Sequence, residues 1–194
     1  PDWLVGPQSV AEVERHLGLP VIVKAVGGGS SLRLILAHDL TELEEAIVES
    51  RSWNDLVLFE RYHVGQELTV AVLGGRPLPV GEIIPSHDYF DYECKYQPGF
   101  AEEVFPADIS QDLTGRLQDL AVQVHAALRL RDYCRVDFIV DENDDPWCLE
   151  ANSLPGMTPN SLVPKAALAA GISFPGLCDQ IVSLARNRSP NHSV

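Results

Sequence analysis

Apolar positions along the chain change spacing several times, and each change marks an expected element. Val10, Val13 and Leu17 share one helical face, and Ser9 with Glu12 has the spacing of a capping box, so a short helix is expected over 9–17. Gly18 and Pro20 end it, and Val21-Ile22-Val23 opens a strand that runs into Lys24. A glycine-rich turn follows, then a second strand near 32–37. Asp39 and Glu42 repeat the capping spacing ahead of a helix that buries Leu40, Leu43 and Ile47. Residues 56–61 read as a strand, and 67–73 should pair with 78–84 across the Gly74-Gly75 turn.

Residues 85–106 show no period and are rich in aromatics, the mark of a functional loop rather than a simple connector. The longest expected helix covers 111–129, with Leu113, Leu117, Leu120, Val124 and Leu128 in one stripe. A hairpin over 135–152 comes next, then a Pro-and-Gly turn, helices near 162–170 and 176–185, and a loose tail from 186. There is no internal repeat. Hairpins mixed with helices, without strict strand–helix alternation, predict an α+β chain with largely antiparallel sheets.

The hairpin "RVDFIVDENDDPWCLEANS" carries the first chemistry. Alternation puts Arg135, Asp137 and Ile139 on one face of its first strand and Cys148, Glu150 and Asn152 on one face of its second. A turn centred on Asn143-Asp144 would set Asp137 opposite Glu150 and Arg135 opposite Asn152. Two opposed carboxylates repel, by roughly 4 kcal/mol at 4 Å and an effective dielectric of 20. Either a shared proton, a balancing Arg135 or a divalent cation offsets this. Two carboxylates and an amide oxygen form a hard, all-oxygen ligand set suited to magnesium or manganese. A calcium-binding structural hairpin is the remaining alternative.

Three further clusters admit two readings each. "VIVKAVGGGSS" is a lysine and a glycine-rich loop able to close on phosphate, or else a flexible hairpin tip. Two of the chain's three lysines, Lys24 and Lys95, fall in candidate motifs. Glu60 and Glu67 can accept from an adenine amino group and ribose hydroxyls, or stand as solvated acids. Lys95 and Tyr96 sit in the aromatic loop, which is either functional or only pinned by its rings.

Composition narrows the partners. A formal net charge of −14 argues against nucleic acid, whose phosphates need a basic surface. A small anion can still be held by a local cluster of donors. No apolar stretch is long enough to cross a bilayer, and no charged-then-apolar leader opens the sequence. Cys94, Cys134, Cys148 and Cys178 form no CxxC pair, which favours reduced thiols in a cytoplasmic setting. The sequence opens on Pro1 and its single methionine is Met157, so a fragment or processed chain is expected.

Taken in order, "VIVKAVGGGSS", "ERYHVGQELTVAVLG", "FDYECKY", "CRVDF", "LEANSLPGM" and "NSLVPKAA" resemble the D-alanine–D-alanine ligases of the ATP-grasp fold. The resemblance implies two α+β subdomains with largely antiparallel sheets sandwiching the nucleotide. Residues 1–66 would be a partial central subdomain, 67–187 the C-terminal subdomain and 188–194 a flexible tail. It also implies a ligase lacking its N-terminal substrate domain.

By the same resemblance, Lys24 corresponds to the lysine on the nucleotide phosphates, Glu60 to the acid near adenine and Glu67 to the one at the ribose. Asp137, Glu150 and Asn152 correspond to the ligands of two magnesium ions, with manganese as a substitute. Arg135, helped by the Gly156 amide, corresponds to the group that stabilises the transferring phosphoryl and the tetrahedral intermediate. Ser30 and Tyr96 correspond to a set that orients substrate and closes the loop. Lys95, Ser161 and the Leu162 amide correspond to the site for the second substrate's carboxylate, and Lys95 also lies within reach of ATP.

The implied reaction joins two D-alanines through an acyl phosphate at the expense of ATP, for peptidoglycan precursors, in a cytoplasmic enzyme that is a homodimer at full length. The alternatives are an Mg-ATP-binding module without turnover and a D-alanine–D-lactate ligase relative, against which the Lys95-Tyr96 pair argues. Four positions depart from the family pattern. Leu32-Arg33 replaces valine-glycine, Ala25 replaces a common proline, and His63 replaces an apolar residue near the adenine.

Overall fold

The computed structural model describes residues 2–27, 32–85 and 101–187. They divide into two compact units, one running to His63 and the other starting at Val64.

The first unit holds four antiparallel strands: β1 (Trp3–Val5), β2 (Val21–Ala25), β3 (Leu34–Ala37) and β4 (Val57–Arg61), in the order β1-β4-β2-β3. Helices α1 (Val10–Leu17) and α2 (Leu40–Ser50) supply the residues that bury one sheet face. Val21, Val23, Ala25 and Phe59 pack there with Val13, Leu17, Leu43, Ala46, Ile47 and Trp53. Each large side chain so buried contributes about 1.5–3 kcal/mol. The alternation in β2 leaves Ile22 and Lys24 on the opposite face.

The α1 capping box forms in full, with Ser9 and Glu12 bonding reciprocally. At α2 the box is one-sided. Asp39 accepts from the amides of Thr41 and Glu42, but the Glu42 carboxylate turns to the His38 amide and ring. The third strand starts at Leu34 rather than Leu32 because Arg33 takes left-handed backbone, φ 58°. Its guanidinium donates to the Trp53 carbonyl at 2.8 Å, and its own carbonyl accepts from Ala25. Left-handed backbone costs a non-glycine residue about 1–2 kcal/mol, and those bonds offset it.

The second unit is a six-stranded sheet of β5 (Gln66–Leu73), β6 (Arg76–Pro77), β7 (Gly81–Pro85), β8 (Ala101–Val104), β9 (Tyr133–Val140) and β10 (Pro146–Asn152). The order is β10-β9-β5-β7-β8, with β6 beside β5. Helix α3 (Gln111–Ala127) covers one face, where Leu113, Leu117 and Ala121 meet Leu68, Val70, Val72, Val136, Phe138 and Val140. Helices α4 (Leu162–Ala169) and α5 (Phe174–Arg186) cover the other face only around Ala71, Leu73 and Leu78. Farther along, that face carries the polar Glu67, Thr69, Arg135 and Asp137 beside Ile139.

Several expectations need correcting here. The strand expected over 78–84 begins only at Gly81, as β7, and the two-residue β6 lies ahead of the expected range. Gly74 and Gly75, both left-handed, make the tight turn into β6, and the register then slips by one before β7 pairs with Glu67–Thr69. Pro77 and Pro79 flank the slip and have no amide hydrogen to continue the ladder. Part of the aperiodic 85–106 segment is a strand, β8, paired to β7. Leu128 lies outside the α3 stripe and is 58% exposed, because the helix ends at Ala127 and Arg129 turns left-handed. Among the described residues, no single helix is long and apolar enough to cross a membrane.

Candidate active site

On the face of the second sheet opposite α3, Glu67, Thr69 and Ala71 of β5 stand beside Ile139, Asp137 and Arg135 of β9. Beyond them on β10, Glu150 pairs with Asp137 and Asn152 with Arg135, the expected cross-strand partners. The route to that register differs from expectation. Val140 pairs with Pro146 and Phe138 with Cys148, so the turn is centred on Asn143 alone. A bulge at Leu149 then inserts one residue and moves the register by one. Without it Glu150 would oppose Val136 and point to the face that α3 buries. The bulge also ends the strict alternation, so Cys148 pairs with Phe138 and does not share the register of Glu150 as expected.

The turn absorbs much of the acidic run. Asp141 accepts from the amides of Asn143 and Asp145 and from the Trp147 ring nitrogen at 3.3 Å. That is a local turn device, and sequence reading did not anticipate it.

Asp137 is the centre of the network and is only 5% exposed. Arg135 grips it with both arms of the guanidinium, Nε to Oδ1 at 2.8 Å and Nη2 to Oδ2 at 2.7 Å. Thr69 donates its hydroxyl to Oδ1 at 2.7 Å. The Asn152 amide nitrogen lies between the two acids, donating to Asp137 Oδ2 at 3.1 Å and to Glu150 Oε1 at 3.2 Å. The offset to carboxylate repulsion is therefore visible: a bidentate arginine and a bridging amide. Burial works against the Arg135 charge, yet the hydrogen bonds and charge of Asp137, then Glu150 and Glu67, outweigh it and push its pKa up. The arginine stays cationic within an acidic ring.

In the first unit Lys24 on β2 forms an ion pair with Glu60 on β4. Both lie on the face away from α1 and α2, where the half-buried Ile22 and Leu58 provide apolar surface. A cation and an acid beside a flat apolar patch suit phosphate, an exocyclic amine and a ring.

Gly156, Ser161 and Leu162 come together at the start of α4. Ser161 is the N-cap residue but its hydroxyl does not cap. It accepts instead from the Thr158 amide at 3.1 Å and meets the Thr158 hydroxyl at 2.9 Å. A side chain at Gly156 would come within 2.9 Å of that oxygen, so glycine keeps the approach open. Ser30, Lys95 and Tyr96 lie outside the described residues.

The donor set fits a hard divalent cation in kind. Asp137 and Glu150 supply carboxylate oxygens, and turning the Asn152 amide about its last bond would exchange a bridging N–H for an oxygen. Among the described residues no three His, Cys, Asp or Glu side chains converge as a metal-binding group. A cation on these two carboxylates would take the Asn152 amide oxygen as a third protein ligand. Sequence reading missed Thr69, although it sits two residues after Glu67 on the same strand face and period-two spacing marks it.

The chain is similar to known proteins over most of its length. The family model described as "D-ala D-ala ligase C-terminus" matches residues 2–183. A D-alanine–D-alanine ligase of Desulfotalea psychrophila is 44% identical over 184 residues, covering 92% of this chain and 57% of that protein. The chain thus spans little more than half the length of such relatives. Among solved structures, D-alanine–D-alanine ligase from Bacillus anthracis matches with TM-score 0.83 and 33% identity, over 96% of this chain and 62% of that one. The same enzyme complexed with ATP matches with TM-score 0.81 and 29% identity, over 96% and 60%. VanG D-Ala:D-Ser ligase from Enterococcus faecalis matches with TM-score 0.84 and 29% identity, over 95% and 56%. With a bulged acid–amide hairpin, an α+β ATP-grasp fold and a family match over nearly its whole length, the chain belongs to the D-alanine–D-alanine ligase family, as its C-terminal part.

Proposed function

We propose that this chain is the ATP-binding part of a ligase that joins two D-alanines through an acyl phosphate, for peptidoglycan precursors in the cytoplasm. The observation that carries the proposal is the Arg135–Asp137–Asn152–Glu150 network, held by a bulge on one open sheet face. The relatives' names supply the substrate, and a neighbour complexed with ATP supports the nucleotide. The first unit serves as part of the central ATP-grasp subdomain, and the second as the C-terminal one.

In this reading Lys24 neutralises nucleotide phosphates, Glu60 accepts from adenine and Glu67 from the ribose. Asp137, Glu150 and Asn152 hold magnesium, for which manganese substitutes. When bound, that ion neutralises charge on the transferring phosphoryl group. A carboxylate is a poor electrophile, so activation by phosphoryl transfer must precede amine attack, and it depends mostly on positioning and electrostatics. Arg135 turns part of its fork from Asp137 to the phosphoryl oxygens and then, with the Gly156 amide, to the oxyanion. Ser30 and Tyr96 orient substrate, while Lys95, Ser161 and the Leu162 amide receive the second D-alanine's carboxylate. No covalent protein nucleophile is required.

Because the chain spans little more than half of its relatives' length, a second reading holds for it alone: an Mg-ATP-binding module with little dipeptide synthesis. The test is calorimetry of a non-hydrolysable ATP analogue with and without magnesium. Binding that needs magnesium and falls in Glu150→Gln supports the proposal. Equal binding with chelator present, or in E150Q, contradicts it. Assaying D-alanyl-D-alanine from the same chain with ATP and D-alanine separates ligase from module.

A further inference from the structure

Among the described residues, Thr69, Arg135 and Asn152 are the three whose side chains donate to Asp137. Together they place two donors on each oxygen: Thr69 and Arg135 Nε on Oδ1, Arg135 Nη2 and Asn152 on Oδ2. A carboxylate offers about four lone-pair positions, so all are taken. A cation can bond Asp137 only after a donor leaves. Two of the three residues have other work in the proposed function. Asn152 must turn its oxygen to the cation, and Arg135 must turn toward phosphoryl oxygens. Thr69 has none, and it is 1% exposed on a central strand with both neighbours paired.

From this we infer that Thr69 is a positioning residue, which holds Asp137 Oδ1 so that Oδ2 is the oxygen released to the cation. Resting on the cation-site reading above, the inference adds a residue to it. A carboxylate that loses the amide and one arm of the arginine from Oδ2 is held more loosely against rotation about its terminal bond. A buried hydroxyl at 2.7 Å restricts that rotation. Thr69 cannot follow the reacting groups, since its backbone is locked between β7 and β9. Its donation to Oδ1 therefore persists through the cycle. Removing such an orienting partner typically weakens a metal site about 10–100-fold.

The test is manganese binding to the 194-residue chain in the presence of ADP, read by electron paramagnetic resonance, for wild type, Thr69→Val, Thr69→Ala and Thr69→Ser. Valine keeps the shape and loses the hydroxyl. Serine and alanine both lose the methyl and differ only in the hydroxyl, so they remain informative if the valine variant does not fold. The expected result is manganese affinity lowered about tenfold or more in T69V and T69A, with serine restoring most of it. Thermal midpoints separate the roles: a merely structural threonine would make metal affinity follow the midpoints, whereas a positioning one leaves T69S close to wild type in affinity despite its lost methyl. If wild type binds manganese and the hydroxyl-free variants bind it equally well, Thr69 has no positioning role while the cation site stands. If wild type itself binds none with ADP, the cation-site reading fails and the inference falls with it.

Discussion

Asp137 is 5% exposed, and replacing Arg135 with methionine leaves it Thr69 and Asn152 as side-chain donors among the described residues. Methionine fills much of the arginine stem's space, so the loss is mainly electrostatic. Two unit charges at about 4 Å interact by roughly 4 kcal/mol at an effective dielectric of 20. Removing one partner of a buried pair typically costs about 3–5 kcal/mol. The expected loss for R135M is therefore roughly 3–4 kcal/mol in the second unit. The assay is native-state hydrogen exchange of the Val136 and Phe138 amides, which reports on β9 without assuming that both units unfold together. The double variant R135M/D137L should recover most of the loss, since an apolar replacement of both partners is often neutral. It leaves the Thr69 hydroxyl unpaired, at about 1–3 kcal/mol, which T69V should then return. An R135M loss below about 1 kcal/mol would show that the pair is solvent-compensated and refute the reasoning.

Other outcomes follow from single contacts. A methyl group at Gly65 would lie 2.0 Å from the Val140 carbonyl oxygen, so G65A should destabilise the β5–β9 pairing by about 1–3 kcal/mol in urea unfolding, with an unchanged value as the contrary result. His125 is held below its ordinary value of 6.5 by burial, and its ring nitrogen lies 3.2 Å from Cys134 Sγ. Its depressed folded value means that stability is intact above about pH 6.5 and lost as pH falls through the folded value. H125Q should flatten the urea midpoint over that window. Burial pushes the Cys134 thiol up to about 11, so it should resist alkylation at neutral pH until the chain unfolds, whereas exposed Cys148 should be labelled first of these two.

Much of the site was legible because strands alternate. The acids and amide of the hairpin stand out against the apolar residues that share their strands, and the pairing of Asp137 with Glu150 is the one expected. The agreement hides a compensation, since a turn centred half a step away is corrected by the Leu149 bulge. Bulges leave no clear trace in a hydrophobic pattern, because one extra residue resembles an ordinary strand position. β8 was hidden for a related reason: Glu102 and Glu103 stand in succession on the last strand of the sheet order, so no alternation shows. β1, three residues long, is too short to carry a period. Thr69 was visible by spacing, but a hydroxyl in an apolar run reads as a strand former until its partner across the sheet is known. The double role of Arg135, balancing Asp137 at rest and available to phosphate, needed the distances.

A crystal of this chain with magnesium and a non-hydrolysable ATP analogue tests the central claim most directly. The account predicts density for a cation bonded to oxygens of Asp137 and Glu150, with the Asn152 amide turned so that its oxygen faces the ion. An Asn152 nitrogen still donating to both carboxylates, with nucleotide and cation bound elsewhere, would contradict it.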